Sequence, residues 1–241
     1  MHRIGLWAVV YWGMACVERE GVSGKTDTFE GGDLEIAAGV HSLDVIEPPG
    51  GASEGVLSCS LDDDPEEVHL GSADHEGTVL DEVVRVRGLL ADSLYTCTWE
   101  TITGSTWARV RTQPMEDYVP ELAFTGEPSS MVGAYTLFNH LEKGADPNYL
   151  KLLIVDPQGR VRWSYLVPYR AAADLDATFI GAGEILYGGG YGGKPQVVNL
   201  DGEVVFQGGK PFTGDRYHHH VEPLGEADIL ALVTAQNNLD D

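Results

Sequence analysis

The second half of the chain repeats itself at a fixed spacing, and that constrains its fold more than any other feature. Ile154-Val155-Asp156-Pro157-Gln158-Gly159-Arg160-Val161-Arg162-Trp163 recurs as Val197-Val198-Asn199-Leu200-Asp201-Gly202-Glu203-Val204-Val205-Phe206, 43 residues later. Ile180-Gly181-Ala182-Gly183-Glu184-Ile185-Leu186 recurs as Leu224-Gly225-Glu226-Ala227-Asp228-Ile229-Leu230, 44 residues later. Each half-unit is an apolar run, a turn with glycine, and a second apolar run, which reads as a β-hairpin. Two hairpins every ~40–45 residues is the period of a four-stranded propeller blade. Closed propellers need about 4–8 such blades. Residues 129–241 hold two blades and the first strands of a third. The sequence therefore predicts an incomplete β-propeller of about two and a half blades, the front part of a larger ring.

Composition agrees with an all-β class. The 241 residues are 43% hydrophobic and include 30 glycines and 12 prolines, and short apolar runs are punctuated by both. Helical periodicity is scarce. The formal net charge of −23 excludes nucleic acid as a partner, because phosphate binding needs clustered Lys and Arg. It excludes docking on anionic lipid through a basic patch for the same reason. The run Asp62-Asp63-Asp64-Pro65-Glu66-Glu67 is chemically able to attract calcium, but it lacks the spaced ligands and central glycine of an EF-hand loop. It reads as a solvated turn between strands, and no metal site is expected.

Residues 1–16 read as an export signal. Met1-His2-Arg3 is a short basic start, Ile4 to Tyr11 is apolar, and Gly13-Met14-Ala15 supplies small residues before Cys16. The apolar stretch is too short for a permanent bilayer span. The segment resembles a bacterial lipoprotein signal, with Gly13 where a Leu is usual. The resemblance implies lipidation of Cys16, a lipid bilayer as partner, and a periplasm-facing or cell-surface location. Ordinary secretion is the alternative. Residues 17–32 are polar and glycine-rich, as a flexible tether would be. Cys59 and Cys97 then remain as an even pair in an oxidising compartment, to be read either as a disulfide or as two buried thiols.

Residues 33–114 read as a first β domain. Val84-Arg85-Val86-Arg87-Gly88-Leu89 leads through a turn into Leu94-Tyr95-Thr96-Cys97-Thr98-Trp99, and Trp107 to Pro114 supplies a closing strand. This resembles the fibronectin type III pattern, a Greek-key β-sandwich in which Tyr95 would be a tyrosine corner. Val56-Leu57-Ser58-Cys59-Ser60-Leu61 alternates with period two, so a Cys59–Cys97 bridge is expected to cross the sandwich. Residues 115–128, opening on Met115-Glu116-Asp117-Tyr118-Val119-Pro120, read as a linker to the repeats at 129–241.

One segment carries candidate chemistry: Tyr217-His218-His219-His220-Val221-Glu222-Pro223-Leu224. Together with the Asp156–Trp163 hairpin and Met131 to Phe138, it resembles the bacterial arylsulfate sulfotransferases. In that family a small β-sandwich precedes a propeller whose inner strands carry His-Asp. His219 falls on the family's histidine, His220 replaces the Asp, and Ala227 stands at the usual turn glycine. The resemblance implies sulfuryl transfer from an aryl sulfate to a phenol through a covalent histidine, without a cofactor. An imidazole nitrogen is a competent nucleophile for this step, and neighbouring cationic donors must stabilise the oxyanion. It makes His219, with His218 and His220, a candidate sulfate or substrate site and leaves the nucleophile to a later blade. The chain is then expected not to turn over by itself, and a second polypeptide would complete the ring.

Other readings stay open. On a regular strand His218 and His220 would share a face, a spacing found in zinc sites, or the imidazoles are simply solvated. Gly188 to Gly193 lacks the Lys-Ser/Thr of a phosphate loop and reads as a turn. Trp163 and Phe206, equivalent in the repeat, are expected in the core between blades. A surface-tethered binding or scaffold protein, or a fragment of a quinoprotein-like propeller, is the alternative to an enzyme.

Overall fold

The structure, a computed structural model, describes residues 34–46, 55–73, 83–123, 135–141, 150–167, 176–181, 183–188, 194–209, 216–224 and 228–234. The expected signal, lipidated Cys16, tether, Met131–Ala134 and Gly189–Gly193 lie outside the described residues. Among those described there is no helix, and every sheet is antiparallel and open. The all-β class is therefore correct. Contacts divide the chain into two compact units, one of residues 22–136 with 153–166 and one of residues 137–152 with 167–241.

The first unit starts with eight strands: β1 (Glu35–Ala38), β2 (Ser42–Ile46), β3 (Gly55–Leu61), β4 (Asp64–Leu70), β5 (Ser72–Ala73), β6 (Val83–Arg87), β7 (Leu94–Thr101) and β8 (Gly104–Arg111). They form two four-stranded sheets, in the orders β1-β2-β6-β5 and β4-β3-β7-β8. Alternation in the sequence explains which faces are buried. Along β2 Leu43 and Val45 point inward, along β3 Leu57, Cys59 and Leu61, and along β7 Tyr95, Cys97 and Trp99. Period-two burial of this kind is what an antiparallel sheet with one wet face requires. The inward residues of both sheets belong to one hydrophobic cluster, from Ile36, Val45, Val84 and Val86 to Leu57, Trp99 and Val110. Tyr95 lies within it, and its hydroxyl accepts the Leu90 backbone N–H at 2.8 Å.

Cys59 and Cys97 are disulfide-bonded, with Cα atoms 4.0 Å apart. They sit directly opposite each other on β3 and β7. The bridge therefore joins neighbouring strands of one sheet and does not cross between sheets as expected. The short separation matches the closer of the two kinds of opposed antiparallel pair, in which side chains approach most nearly.

The acidic run after β3 is only partly a solvated turn. Asp62 and Asp63 make the turn, while Asp64 to Glu67 already belong to β4. Asp62 accepts hydrogen bonds from Thr96 Oγ1 and Arg109 Nε, and Glu67 is enclosed by cations described below.

The repeat continues as β9 (Thr136–Leu141), β10 (Leu150–Val155), β11 (Val161–Leu166), β12 (Ala177–Gly181), β13 (Glu184–Tyr187), β14 (Gln196–Asn199), β15 (Val204–Gln207), β16 (Arg216–Leu224) and β17 (Asp228–Thr234). The sheet orders are β11-β10-β9, β12-β13-β14-β15 and β16-β17. The turns of the β10–β11 and β14–β15 hairpins are built alike. Asp156 N–H bonds to Arg160 O and Gly159 N–H to Asp156 O; Asn199 N–H bonds to Glu203 O and Gly202 N–H to Asn199 O. Asp156 Oδ1 accepts from Gln158 and Arg160 N–H, as Asn199 Oδ1 does from Asp201 and Glu203 N–H. Gly159 and Gly202 take φ of 80° and 78°, left-handed values that glycine reaches without steric cost. The sequence repeat is thus a repeat of structure down to single hydrogen bonds.

The paired apolar residues of the two hairpins fare differently. Trp163 is buried and stacks on Tyr165 with ring centroids 5.9 Å apart. Phe206 is 37% exposed, as are Val204 at 39% and Val205 at 47%. Among the described residues, the expectation that Phe206 is a core residue does not hold, because β15 is exposed along its whole length and on both faces.

Candidate functional site

The described member of the histidine run is His220, and the backbone around it is irregular. On β16, Tyr217 pairs with Val233 of β17 and Val221 pairs with Ala231, so three histidines stand opposite the single residue Leu232. Such a bulge interrupts the alternation of a strand and re-aims side chains. The regular strand on which His218 and His220 would share a face is therefore not what β16 forms at this point. The side chains of His218 and His219 lie outside the described residues. Val221, just past the bulge, is buried with Leu186 of β13 and Val197 of β14, and this small core docks the β16–β17 hairpin on its neighbour.

His220 is held from both sides. Its Nδ1 lies 2.7 Å from Asp176 Oδ2 and its Nε2 3.1 Å from Glu222 Oε1. Asp176 is placed by the backbone that leads into β12, where its carbonyl accepts the Gly188 N–H. Since carboxylates only accept, a doubly protonated ring satisfies both contacts. The Asp176 hydrogen bond is the main cause that raises the His220 pKa above its ordinary 6.5, with the charges of Glu222 and Asp176 adding to it.

These groups line one side of an open cleft of about 600 Å³. Phe138 and Asn139 of β9, and Thr178 of β12, add polar and aromatic lining, and among the described residues no Lys or Arg contributes to it. The two carboxylates meet opposite nitrogens of one ring and do not converge on a common point. Among the described residues no group of three or more His, Cys, Asp or Glu is arranged to hold a metal ion.

Asp176, Asn139 and Thr178 drew no attention in the sequence, yet one signal pointed to Asp176. It precedes His220 by 44 residues, the offset of the second half-repeat, so the two occupy equivalent positions in successive units. Equivalent positions of stacked repeats are neighbours in space.

A second charged cluster lies in the first unit. Arg162 of β11 donates from Nε to Asp156 Oδ2 at 2.8 Å and from Nη1 to Glu67 Oε1 at 2.5 Å, and Arg160 Nη2 reaches Glu67 Oε2 at 3.0 Å. Arg162 and Asp156 side chains are each only 4% exposed. Burial disfavours the Glu67 carboxylate, but hydrogen bonds from Arg162 and His69 outweigh it and pull its pKa from 4.5 to about 2. Asp156 is lowered too, where burial is overcome by the Arg160 backbone N–H and the Arg162 guanidinium. Its carboxylates and guanidinium groups pair with one another, and the cluster ties β4 to the Asp156 hairpin.

Compared with protein-family models, with curated proteins and with solved structures, the chain matches none.

Proposed function

We propose that this protein is an exported, lipid-anchored binding protein whose sandwich and repeat units resemble those of an arylsulfotransferase, and that these units do not transfer sulfuryl groups by themselves. The fibronectin-like sandwich is supported by the core shared between two four-stranded sheets and by the Tyr95 hydroxyl bonded to Leu90. The propeller reading is supported by the matched turns at Asp156 and Asn199 and by the four-stranded sheet β12-β13-β14-β15 made of two hairpins.

One observation supports the binding reading of this cleft, because it argues against His220 as a sulfuryl-accepting histidine: both of its ring nitrogens are engaged by carboxylates. A histidine that accepts a sulfuryl group must present a free nitrogen lone pair. The transferring oxyanion must meet cationic donors, whereas Asp176 and Glu222 would repel it. The test is turnover of 4-nitrophenyl sulfate with a phenol acceptor, using the purified full chain. No release above buffer is expected. Turnover that His219→Ala or His220→Ala abolishes would restore the enzyme reading. Anchoring is tested separately, by a fatty-acid probe that should label the wild type but not Cys16→Ser.

A further inference from the structure

We infer that the cleft between β9, β12 and β16 is a site for a small organic cation, an aromatic or alkyl ammonium compound. The inference rests on the non-catalytic reading of the cleft and adds the class of ligand. Three observations converge on it. The cleft, about 600 Å³, is in the size range that holds small molecules. Among the described residues its charged lining is two carboxylates and one imidazole, Asp176, Glu222 and His220, with Asn139 and Thr178 as neutral polar groups. Phe138 supplies an aromatic ring, a partner for alkylammonium groups.

When protonated, the ring of His220 is itself a cation held by the two carboxylates, through contacts of 2.7 Å and 3.1 Å. That ring is the internal stand-in for the ligand. While it is protonated, the three groups sum to one negative charge, and when it loses its proton they sum to two. Among the described residues, Asp176 and Glu222 are the charged groups that face it, from the lead into β12 and from β16 itself. An external ammonium and the His220 proton therefore compete for the same two carboxylates. Linkage is reciprocal, so a bound cation must make His220 easier to deprotonate by the factor by which deprotonation tightens the cation. A sulfate ester would show the reverse dependence on pH.

The probe is benzyltrimethylammonium, whose charge is fixed, titrated into the full chain and followed by the imidazole NMR signals and by calorimetry. Binding is expected to be roughly threefold or more tighter at about pH 9 than at about pH 5.5, as suits exposed charge pairs. Salt should weaken it. The probe should lower the His220 titration midpoint, and Asp176→Asn and Glu222→Gln should each weaken binding by a similar factor. Benzyl alcohol binding equally well, affinity independent of pH, or 4-nitrophenyl sulfate binding in place of the cation would each overturn the inference. None of these readouts uses sulfuryl transfer, so the inference and the non-catalytic reading fail by different results.

Discussion

Asp176 accepts a 2.7 Å hydrogen bond from a histidine that occupies its own position one repeat later, His220. The offset of 44 residues is the spacing at which Ile180–Leu186 recurs as Leu224–Leu230. The same position in successive units thus carries an acid and then a base, and stacking the units makes them a pair. A repeat with one residue type at this position would have set like charges or two imidazoles against each other.

That pairing should be visible in titration. The folded pKa of His220 is raised, so the contribution of the pair to stability is fully present below the unfolded value of 6.5 and is lost as pH rises through the folded value. In Asp176→Asn the NMR midpoint of His220 should move down towards 6.5, leaving Glu222 as its remaining carboxylate. Protection factors of the β16 amides, corrected for the intrinsic base-catalysed rate, should fall at alkaline pH in the wild type. An unchanged midpoint in Asp176→Asn would mean that the hydrogen bond is not formed in solution.

Arg162 presents the opposite case, a cation nearly out of water with Asp156 and Glu67. Removing Arg162 leaves two carboxylates to share the guanidinium of Arg160, and breaking a buried pair costs about 3–5 kcal/mol. Arg162→Ala should therefore destabilise the first unit by about that much in urea unfolding at neutral pH. The wild type should also lose stability in acid. Glu67, held at about 2 against 4.5 unfolded, contributes stability that is full above 4.5 and declines as pH falls towards 2. In Arg162→Ala much of that acid sensitivity should vanish. A cost of less than about 1 kcal/mol would reduce the cluster to an ordinary surface ion pair.

Which features could be read from sequence follows from how local their causes are. The hairpins at Asp156 and Asn199 were legible because side chain, turn and glycine lie within four residues of one another. The strands around Cys59 and Cys97 were legible from alternation, but which strands pair is set by distant contacts, so the bridge was assigned between sheets. Phe206 differs from its repeat equivalent Trp163 because an apolar residue is buried only where another element covers its face, and among the described residues nothing covers either face of β15. The bulge at His218–His220 left no mark in the sequence, since a run of three identical residues gives alternation nothing to act on.

The disulfide should matter more than its place within one sheet implies. It closes a loop of 38 residues, and the chain-entropy model puts the stabilisation from such a loop at about 4 kcal/mol. Both cysteines are fully buried. The double variant Cys59→Ala/Cys97→Ala should therefore unfold at markedly lower urea concentration, with the same sheet signature by circular dichroism before the transition. Alkylation of unreduced protein should find neither of these thiols. Two free thiols in exported protein, or a double variant as stable as the wild type, would contradict the bridge.

His41 gives the first unit a second, milder dependence on acidity. The side chain is 8% exposed. Its Nδ1–H donates to Leu89 O at 2.9 Å, which leaves Nε2 as a buried acceptor without a hydrogen-bond partner among the described residues. Burial disfavours the charged ring and is the main cause that lowers its pKa below 6.5; the Leu89 carbonyl and the Glu116 charge oppose the shift, and Arg162 reinforces it. The unfolded chain therefore binds a proton in a pH range where the folded one does not. Stability is highest above 6.5 and falls as pH drops from 6.5 towards the lowered value, with a slope of at most about 1.4 kcal/mol per pH unit for one proton. This window lies above that of Glu67, so urea midpoints taken between about pH 7.5 and pH 5 isolate it. His41→Gln keeps a neutral donor for the Leu89 carbonyl and should flatten the curve across that interval while leaving the steeper loss in stronger acid. The same slope in the variant would show that His41 stays uncharged, or finds a partner for its charge, throughout the interval.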